Sequence, residues 1–288
     1  MSAPTSASAS AATAPIHWPA EDLWLQLSPL LPGLTLEVLP TIDSSNTELM
    51  RRARTGQVDP IVLIAQSQTA GRGRMGRSWV NQPGDCLMYS LGLCLQPQDW
   101  SGLSLVVGLS IAQSLQASTS SGPQLGVKWP NDLWLSDGRK LAGTLVETAS
   151  IGAGLQPHIV GRGTGPARFV VIGTGINIRA PQAHPGLTTP AAGLHDLDAR
   201  WSAPLALQRL LPPLVQDLLT FAEHGFAPFV QRFAQRDVLR GRPVQLSDGT
   251  EGLCEGVDTD GSLLVHTPQG LRRTISGEVS VRPTGLLA

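Results

Sequence analysis

The sequence predicts an α+β fold with a mixed β-sheet, followed by a small C-terminal β-barrel. Up to residue 236, short apolar runs typical of buried strands are interspersed with segments of helical spacing. From Asp237 onward, five short strand-like segments are joined by turns such as Asp248-Gly249 and Asp260-Gly261. With 288 residues, the chain is long enough for one large and one small domain, each with a core of its own.

The first part of the chain is predicted to contain two helices and two strands. Pro32-Gly33 ends the first helix, and the run Asp43-Ser44-Ser45-Asn46 supplies capping side chains for the second. The predicted elements are a helix over 20–31, a strand over 34–39, a helix over 47–54 and a strand over 61–65.

The middle of the chain is predicted to supply most of the sheet. The predicted strands are 86–95, 126–129, 133–135, 141–147 and 169–178, with a helix over 103–117. Asp137-Gly138 is typical of a hairpin turn. The Gly/Pro-rich residues 150–167 and the proline-rich residues 179–204 are expected to be loops.

Two helices are predicted over 205–236, separated by a turn at His224-Gly225. Pro212-Pro213 is expected to start or break one of them, because proline removes a helical hydrogen bond. These elements divide the chain into a disordered tail and short helix at 1–32, a larger domain at 33–238 and the barrel at 239–288.

Composition excludes several classes of protein. A formal net charge of −1 gives no overall attraction to nucleic acid, and no stretch approaches the roughly 18 apolar residues of a membrane span. Residues 1–15 are uncharged, unlike a secretory signal. Cys86, Cys94 and Cys254 lack C-x-x-C spacing and favour free thiols, so a cytoplasmic location is expected. The scattered histidines form no pattern typical of a zinc site.

Lysine is almost absent from the chain. Of the 21 basic residues, 19 are arginine, and the two lysines, Lys128 and Lys140, fall within 13 residues of each other. If arginine replaced lysine wherever the exchange was harmless, these two positions require a compact ammonium group. The alternative for Lys128 is an ordinary ion pair.

The segment AGRGRMGRSW, at 70–79, allows several interpretations. It formally matches G-x-G-x-x-G, but Gly76 is followed by turn-forming residues instead of the helix that a dinucleotide site needs. A nucleic-acid patch is disfavoured because the first fifty residues contain no Lys or Arg. A solvated surface loop remains open. The remaining interpretation is a loop whose glycines, beginning at Gly71, allow close backbone approach and whose arginines hold an anion.

Four segments in this order carry a family resemblance: GRGRMGRSW at 71–79, KWPNDLWL at 128–135, KLAGTLVE at 140–147 and VIGTGINI at 171–178. With them the chain resembles biotin protein ligases, from about residue 34 to the C-terminus. DSSNTELM at 43–50, EHGFAPFVQRF at 223–233 and the RPVQL and ISGEVSVR segments extend the match. The loop departs from the family's usual G-R-G-R-R-G, because Met75 replaces the second of the paired arginines. The effect of this replacement on how well the enzyme retains its reaction intermediate is left open.

The resemblance implies a class II synthetase-like biotin/lipoyl ligase domain that binds biotin and ATP over 33–238, and an SH3-like barrel over 239–288. The implied enzyme is a biotin–[biotin carboxyl-carrier protein] ligase. It activates biotin with ATP and Mg²⁺ to biotinyl-5′-AMP and transfers it to a lysine of a carrier protein or domain, such as that of acetyl-CoA carboxylase. Both steps build charge on oxygen atoms, so fixed cations are the expected stabilisers.

The resemblance also implies roles for individual residues. Lys140 lies between the biotin carboxylate and the α-phosphate, Arg72 and Arg74 hold anionic oxygens, and Asp132 orients the reacting groups, Mg²⁺ or the incoming lysine; these four are the expected catalytic residues, with Arg77 a weaker candidate. Ser44, Ser45, Asn46 and Gln68 contact the ureido ring, Asn131 and Asn177 serve adenine recognition with Trp79 nearby, and Gly71, Gly143, Gly173 and Gly175 let the ligand lie against backbone. No residue is expected to be a dedicated metal ligand.

Simpler roles remain open for some of these residues. The Ser-Ser-Asn group also fits a plain helix N-cap, and Asp132 also fits a turn residue after Pro130-Asn131.

Two rival functions follow from the same pattern: a lipoate or octanoate ligase or transferase of the same fold, and a biotin sensor that does not ligate. Some family members carry a DNA-binding domain of about sixty residues. Here fewer than 35 residues precede the resemblance and none is basic, so no DNA binding is expected. No membrane association is expected either, and the resemblance allows a monomer or a homodimer.

Overall fold

A computed structural model describes residues 16–79, 84–116, 123–182, 189–275 and 281–284. Within them, one mixed sheet forms the centre of the molecule, in the strand order β1-β2-β3-β8-β6-β5-β4, with β7 paired to β3 beside this path. The strands are β1 (Thr35–Leu39), β2 (Ile61–Ala65), β3 (Cys86–Leu95), β4 (Leu125–Lys128), β5 (Asp132–Leu135), β6 (Lys140–Ser150), β7 (Ile159–Val160) and β8 (Arg168–Asn177). β1 is parallel to β2 and β7 to β3, whereas the other neighbours are antiparallel. The prediction of a mixed sheet is confirmed.

Helices cover both faces of this sheet. The helices are α1 (Ala20–Leu27), α2 (Ser45–Arg54), α3 (Leu103–Leu115), α4 (Ala203–His224) and α5 (Val230–Ala234). Leucines of α1, α3 and α4 form the main core with one face of the sheet. The other face packs against α2 through a smaller cluster that includes Leu49, Leu63 and Phe169.

The side-chain alternation of β8 explains where a cavity can form. Val170, Ile172 and Ile176 enter the main core, and Phe169 and Val171 alternate with them toward α2. The next positions on the α2 face are 173, 175 and 177, occupied by two glycines and an asparagine. This end of the face therefore carries little side-chain volume of its own.

The prediction that Pro212-Pro213 starts or breaks a helix was wrong, because α4 continues through both residues. Loss of two helical hydrogen bonds is costly, but the freed carbonyl groups belong to Gln208, which is partly buried, and Arg209, which is exposed, so water can reach this side of the helix. The leucines of the opposite face, such as Leu210, Leu211 and Leu214, are fully buried. Their burial offsets the lost hydrogen bonds. The turn predicted at His224-Gly225 is confirmed.

Two other predicted boundaries need correction. Residues 150–167 are not entirely loop, because β7 pairs with the end of β3 and Gln96 N donates to Val160 O at 2.8 Å. The first helix ends at Leu27 instead of residue 31, since Leu30 and Leu31 both donate to the Leu27 carbonyl group in a tight turn.

The C-terminal part is an antiparallel sheet in the order β12-β11-β10-β9-β13. Its strands are β9 (Pro243–Leu246), β10 (Glu251–Val257), β11 (Leu263–Thr267), β12 (Gly270–Thr274) and β13 (Val281–Pro283). Gly249 and Gly261 have φ of 87° and 82°, as the predicted turns require. Trp129, fully buried, donates from Nε1 to the Gly261 carbonyl at 3.1 Å and so links this sheet to the end of β4.

All three cysteines are free, as predicted, and all three are buried. The tail predicted over 1–15 lies outside the described residues. None of the helices in the described ranges has both the length and the apolarity needed to span a membrane.

Candidate active site

A cavity of about 420 Å³ lies over the glycine-containing end of β8. Its walls come from the start of α2, the 71–79 loop, the β4–β5 turn and the start of β6. Of the predicted site residues, those that line it are Ser44, Ser45, Asn46, Gln68, Arg72, Arg74, Trp79, Asn131, Asp132, Lys140, Gly143, Gly173, Gly175 and Asn177. Gly71 is the exception: an added Cβ there would lie 2.7 Å from Trp79 O, so Gly71 packs at the base of the loop instead of lining the cavity.

The 71–79 loop is a small hairpin over the cavity. Arg72 and Ser78 form an antiparallel bridge, and Gly73 N donates to Arg77 O at 2.7 Å. Only a single 3-10 turn, Arg74–Gly76, follows the second glycine, so the helix required by a dinucleotide-binding turn is absent from this described segment. Met75 at the tip has φ of 56°, an unusual value for a residue with a side chain.

The floor of the cavity is built from glycines that have close neighbours. An added Cβ at Gly173 would overlap Asn46 Oδ1, and one at Gly175 would overlap the Trp79 indole. Gly143 pairs with Gly175 across the β6–β8 ladder and extends the bare surface. The indole therefore lies directly on the sheet, where a side chain would exclude it.

Gly173→Ala is expected to displace Asn46 and to weaken ligand binding by about 10- to 100-fold, because overpacking in a tight site costs typically 1–3 kcal/mol. Titration calorimetry with biotin, the ligand that the resemblance implies, measures this change in affinity. Gly165→Ala is the matched control, since nothing lies within 4 Å of an added Cβ at Gly165 and its φ lies outside the left-handed region. Unchanged affinity in Gly173→Ala would contradict the assigned role of the floor.

One wall of the cavity is a hydrogen-bonded polar cluster. Ser45 N donates to Gln68 Oε1 at 2.7 Å, and the Ser90 hydroxyl lies 2.7 Å from Ser45 Oγ and donates to Asn46 Oδ1 at 2.6 Å. Ser44 caps α2 by accepting from Thr47 N at 3.4 Å, so its capping role and a place in the cavity wall coexist. Such a set of fixed donors and acceptors can recognise a small polar ring.

Glu147 joins this wall to the loop and was missed by the sequence analysis. Its Oε2 accepts from Asn46 Nδ2 at 2.9 Å, and its Oε1 accepts from Arg72 Nη2 at 3.0 Å. Glu147 is the last residue of the KLAGTLVE motif. A charged residue in a mainly apolar strand was the signal in the sequence that could have identified it as a site residue. Ser90 was missed in the same way, as a lone polar residue in the buried strand β3.

Lys140 and Asp132 form an ion pair at the opposite end. Lys140 Nζ lies 2.8 Å from Asp132 Oδ1 and 6.0 Å from the centre of the Trp79 ring. The backbone of Lys140 is held on both sides, since its N–H donates to Pro190 O and its carbonyl accepts from Ala192 N, each at 2.8 Å. The ammonium group is therefore placed by fixed backbone and by a carboxylate.

Arg74 reaches into the cavity from the loop. Its Nη1 donates to Asn131 Oδ1 at 3.2 Å, while Asn131 Nδ2 donates to Thr144 O at 2.8 Å. Burial lowers the pKa of Arg74, with Asp132 opposing that effect. Asn177 is anchored in the same manner as Asn131, since its Nδ2 donates to Ala192 O at 2.9 Å.

Lys128 is a second buried cation in this cavity. Its side chain lies 5.1 Å from the centre of the Trp134 ring, and the residue is 7% exposed. Burial lowers the pKa of Lys128 to about 8. The negative charge of Asp132 opposes this shift, whereas the positive charges of Lys140 and the loop arginines add to it. No ion pair with Lys128 is found within the described residues, so the alternative role of this lysine, as a member of an ordinary ion pair, receives no support.

Lys128→Met is expected to raise the free energy of unfolding at pH 7 by about 1–3 kcal/mol, since a pKa shift of one unit corresponds to about 1.4 kcal/mol. The folded-state pKa near 8 lies below the ordinary value of 10.5, so the folded protein loses this proton first as pH rises. The stability gain of the variant should therefore be full below pH 8 and disappear between pH 8 and 10.5. Urea unfolding at pH 7 and pH 10 measures the gain in stability. An equal gain at both pH values would contradict the lowered pKa of Lys128 as its cause.

Polar atoms without partners also mark this region. Trp79 Nε1, Tyr89 Oη and Thr174 Oγ1 are buried and have no hydrogen-bond partner among the described residues. All three residues contribute to the cavity wall, and Tyr89 and Thr174 are directly paired across β3 and β8. Unsatisfied buried groups of this kind are costly unless a bound molecule completes them.

The site offers little for a dedicated metal ion. Among the described residues, no three or more His, Cys, Asp or Glu side chains are grouped to hold one. Asp132 is the carboxylate placed beside the cationic end of the cavity, and it already pairs with Lys140. This donor set fits a magnesium ion that arrives with phosphate and water ligands, not an ion held by protein alone.

Two family models match the chain. The model described as "Biotin/lipoate A/B protein ligase family" matches residues 38–164. The model described as "Biotin protein ligase C terminal domain" matches residues 241–282.

The chain is also similar to individual proteins. It is 35% identical over 266 residues to the bifunctional ligase/repressor BirA of Escherichia coli, covering 88% of this chain and 75% of that protein. It is 30% identical over 253 residues to the biotin–[acetyl-CoA-carboxylase] ligase of Paracoccus denitrificans, covering 84% and 98%. A solved structure of a biotin protein ligase from Aquifex aeolicus in complex with biotin and ATP matches with a TM-score of 0.71 at 26% identity, covering 87% of this chain and 99% of that one.

Proposed function

Because the chain belongs to the biotin protein ligase family, we propose that it activates biotin with ATP to biotinyl-5′-AMP and transfers the biotinyl group to a lysine of a biotin carboxyl carrier protein. One observation carries this proposal: a single cavity has a polar, hydrogen-bonded wall at one end and the Lys140–Asp132 pair with Arg74 at the other. A ureido ring fits the first end, and a carboxylate meeting a phosphate fits the second.

In the first half-reaction, a biotin carboxylate oxygen attacks the α-phosphorus of ATP, and the bond to the β-phosphate oxygen breaks to release pyrophosphate. Two anions must approach each other, so the barrier is largely electrostatic. Lys140, held by Asp132 and by its own backbone, would provide a fixed positive charge at the point of attack. Arg74, anchored by Asn131, would provide a second charge from the loop, with Arg72 also able to face anionic oxygens.

Magnesium would be held by the nucleotide phosphates with Asp132 as the protein carboxylate, and would offset phosphate charge. Asn131 and Asn177 would face adenine, near the Trp79 ring, and Ser44, Ser45, Asn46 and Gln68 would face the ureido ring. Gly143, Gly173 and Gly175 would let the ligand lie on the strands.

In the second half-reaction, the neutral amine of the carrier lysine attacks the acyl carbon, an amide bond forms, AMP leaves with the bonding electrons of the acyl–oxygen bond, and the nitrogen gives up one proton to solvent. Asp132 would position the incoming amine, because it is a carboxylate beside the reacting carbonyl group. Positioning and charge neutralisation account for the catalysis, since the protein forms no covalent bond with either substrate.

Pyrophosphate release tests the proposal. Purified protein is mixed with ATP and Mg²⁺ and with biotin, lipoate or neither, before any carrier is added. Release that requires biotin and stops after about one turnover until a carrier domain is supplied supports the ligase. Release with lipoate alone would assign a different acyl substrate, and biotin binding without release would contradict adenylation.

Four further properties are part of the same proposal. We infer a cytoplasmic enzyme of the domain organisation 1–32, 33–238 and 239–288, with a carrier domain of acetyl-CoA carboxylase or a related carboxylase as acceptor. We also infer that it does not act as a DNA-binding repressor. Fluorescence anisotropy with a duplex, with and without biotin and ATP, tests the last point, and tight, ligand-dependent binding would contradict it.

A further inference from the structure

Glu147 occupies an unusual position in β6. It lies opposite Val171 in the ladder with β8, on the face that packs against α2. Its side chain is 21% exposed, so the carboxylate is largely removed from water. Burial of such a charge is unfavourable unless both oxygens are satisfied.

Both oxygens of Glu147 have a partner in the site, and the two partners lie in different parts of it. Oε2 accepts from Asn46 Nδ2 on α2, and Oε1 accepts from Arg72 Nη2 in the loop. Asn46 Nδ2 also donates to Leu145 O at 3.2 Å, which fixes the orientation of the amide. Arg72 Nη1 in turn donates to Thr47 Oγ1 at 3.3 Å, the residue after Asn46.

These contacts form one continuous path through the cavity wall. It runs from the loop through Arg72 and Glu147 to Asn46, and then through Ser90 to Ser45. Each member has a charged or strong polar partner on both sides. Loss of the carboxylate would leave the Asn46 amide and the Arg72 guanidinium group without their shared acceptor.

We propose that Glu147 is a positioning residue that couples the orientation of Asn46 in the polar wall to the position of Arg72 in the 71–79 loop. A ligand that binds at Asn46 then favours one loop position, and a loop held in that position favours the ligand to the same extent. This inference rests on the proposed function for the identity of the ligand, biotin. The coupling itself depends only on the contacts.

Glu147→Gln tests the coupling. Biotin affinity, measured by titration calorimetry, should fall about 10- to 100-fold, the range for losing a hydrogen bond to a charged group. Trypsin cleavage after Arg74 and Arg77, located by mass spectrometry, should become faster, and biotin should protect these sites less than in the parent protein. The rate of pyrophosphate release at saturating biotin should change far less than the apparent KM for biotin.

Glu37→Gln is the matched control. Glu37 also pairs with an arginine on the α2 side of the sheet, Arg52, at 2.8 Å, but neither residue lines the cavity. Its removal should leave biotin affinity and loop cleavage unchanged. Arg72→Gln provides the second measurement, because its effect should shrink to less than about twofold when Glu147 is already replaced, as expected for residues that act as a unit.

Several results would overturn the coupling: unchanged biotin affinity and loop cleavage in Glu147→Gln, or fully additive effects in the double variant. If Glu147→Gln does not fold, loop cleavage of Arg72→Gln in the absence of biotin carries the test, because Arg72 is half exposed and loss of its bond to Glu147 should speed this cleavage without any ligand. Failure of the ligase proposal would be visible separately, as biotin binding without pyrophosphate release in the parent protein. If the parent protein does not bind biotin, loop cleavage without ligand decides the coupling.

Discussion

Lys140→Ala is expected to lower biotin-dependent pyrophosphate release by about 10²- to 10³-fold, the usual cost of removing one preorganised group that stabilises transition-state charge. The ammonium group is held 2.8 Å from Asp132 Oδ1, so it is in place before substrates bind. Its loss leaves Asp132 as an unpaired negative charge where two anions must meet. Single-turnover measurement of adenylate formation checks this without interference from the transfer step.

Lys140→Arg is the informative companion to this variant. It keeps the positive charge but replaces a compact group by a planar fork, which should recover only part of the rate. Full recovery would show that charge alone matters at this position, and would remove the explanation offered for the two lysines of an otherwise arginine-rich chain. Undiminished adenylate formation in Lys140→Ala would contradict the role assigned to Lys140, even though the family assignment would stand.

Arg74→Gly is expected to act differently, by releasing biotinyl-5′-AMP about 10- to 100-fold faster, as expected for the loss of charge-assisted hydrogen bonds. Adenylate formation should continue, because Lys140 remains in place. Escaped adenylate would then label lysines of unrelated proteins. The amount of biotin incorporated into added serum albumin measures this escape. If this variant and Lys140→Ala both retained adenylate like the parent protein, the division of roles would be wrong.

Met75→Gly separates lost charge from a loosened loop. Met75 has φ of 56° at the tip of the same hairpin, so glycine there relieves backbone strain and adds flexibility without removing a charge. Retention of adenylate by this variant would assign the Arg74→Gly effect to the guanidinium group. Escape equal to that of Arg74→Gly would assign it to loop flexibility instead.

The repeating patterns of the sequence were reliable predictors of the fold. Strands β2 and β3 have the predicted bounds, because continuous apolar runs of this kind are stable only when buried on both faces. Period-2 alternation places the glycines of VIGTGINI on one face, where Asn46 and the Trp79 indole lie against them. That a ligand also lies against this backbone stays a prediction. The helix through Pro212-Pro213 could not be predicted from local propensity, because burial of distant leucines decided it.

The sequence by itself determined most of the strand and helix pattern, the family resemblance and a set of predicted site residues, all of which except Gly71 line the cavity. Only the tertiary structure decided how these residues pair. Glu147 meets Asn46 and Arg72 across separations of 101 and 75 residues, and no periodicity encodes such contacts. The same holds for Gly71, which packs against Trp79 behind the loop instead of lining the cavity. The physical reason is that side-chain type and spacing are local properties, whereas hydrogen-bond partners and burial depend on which elements the folded chain brings together.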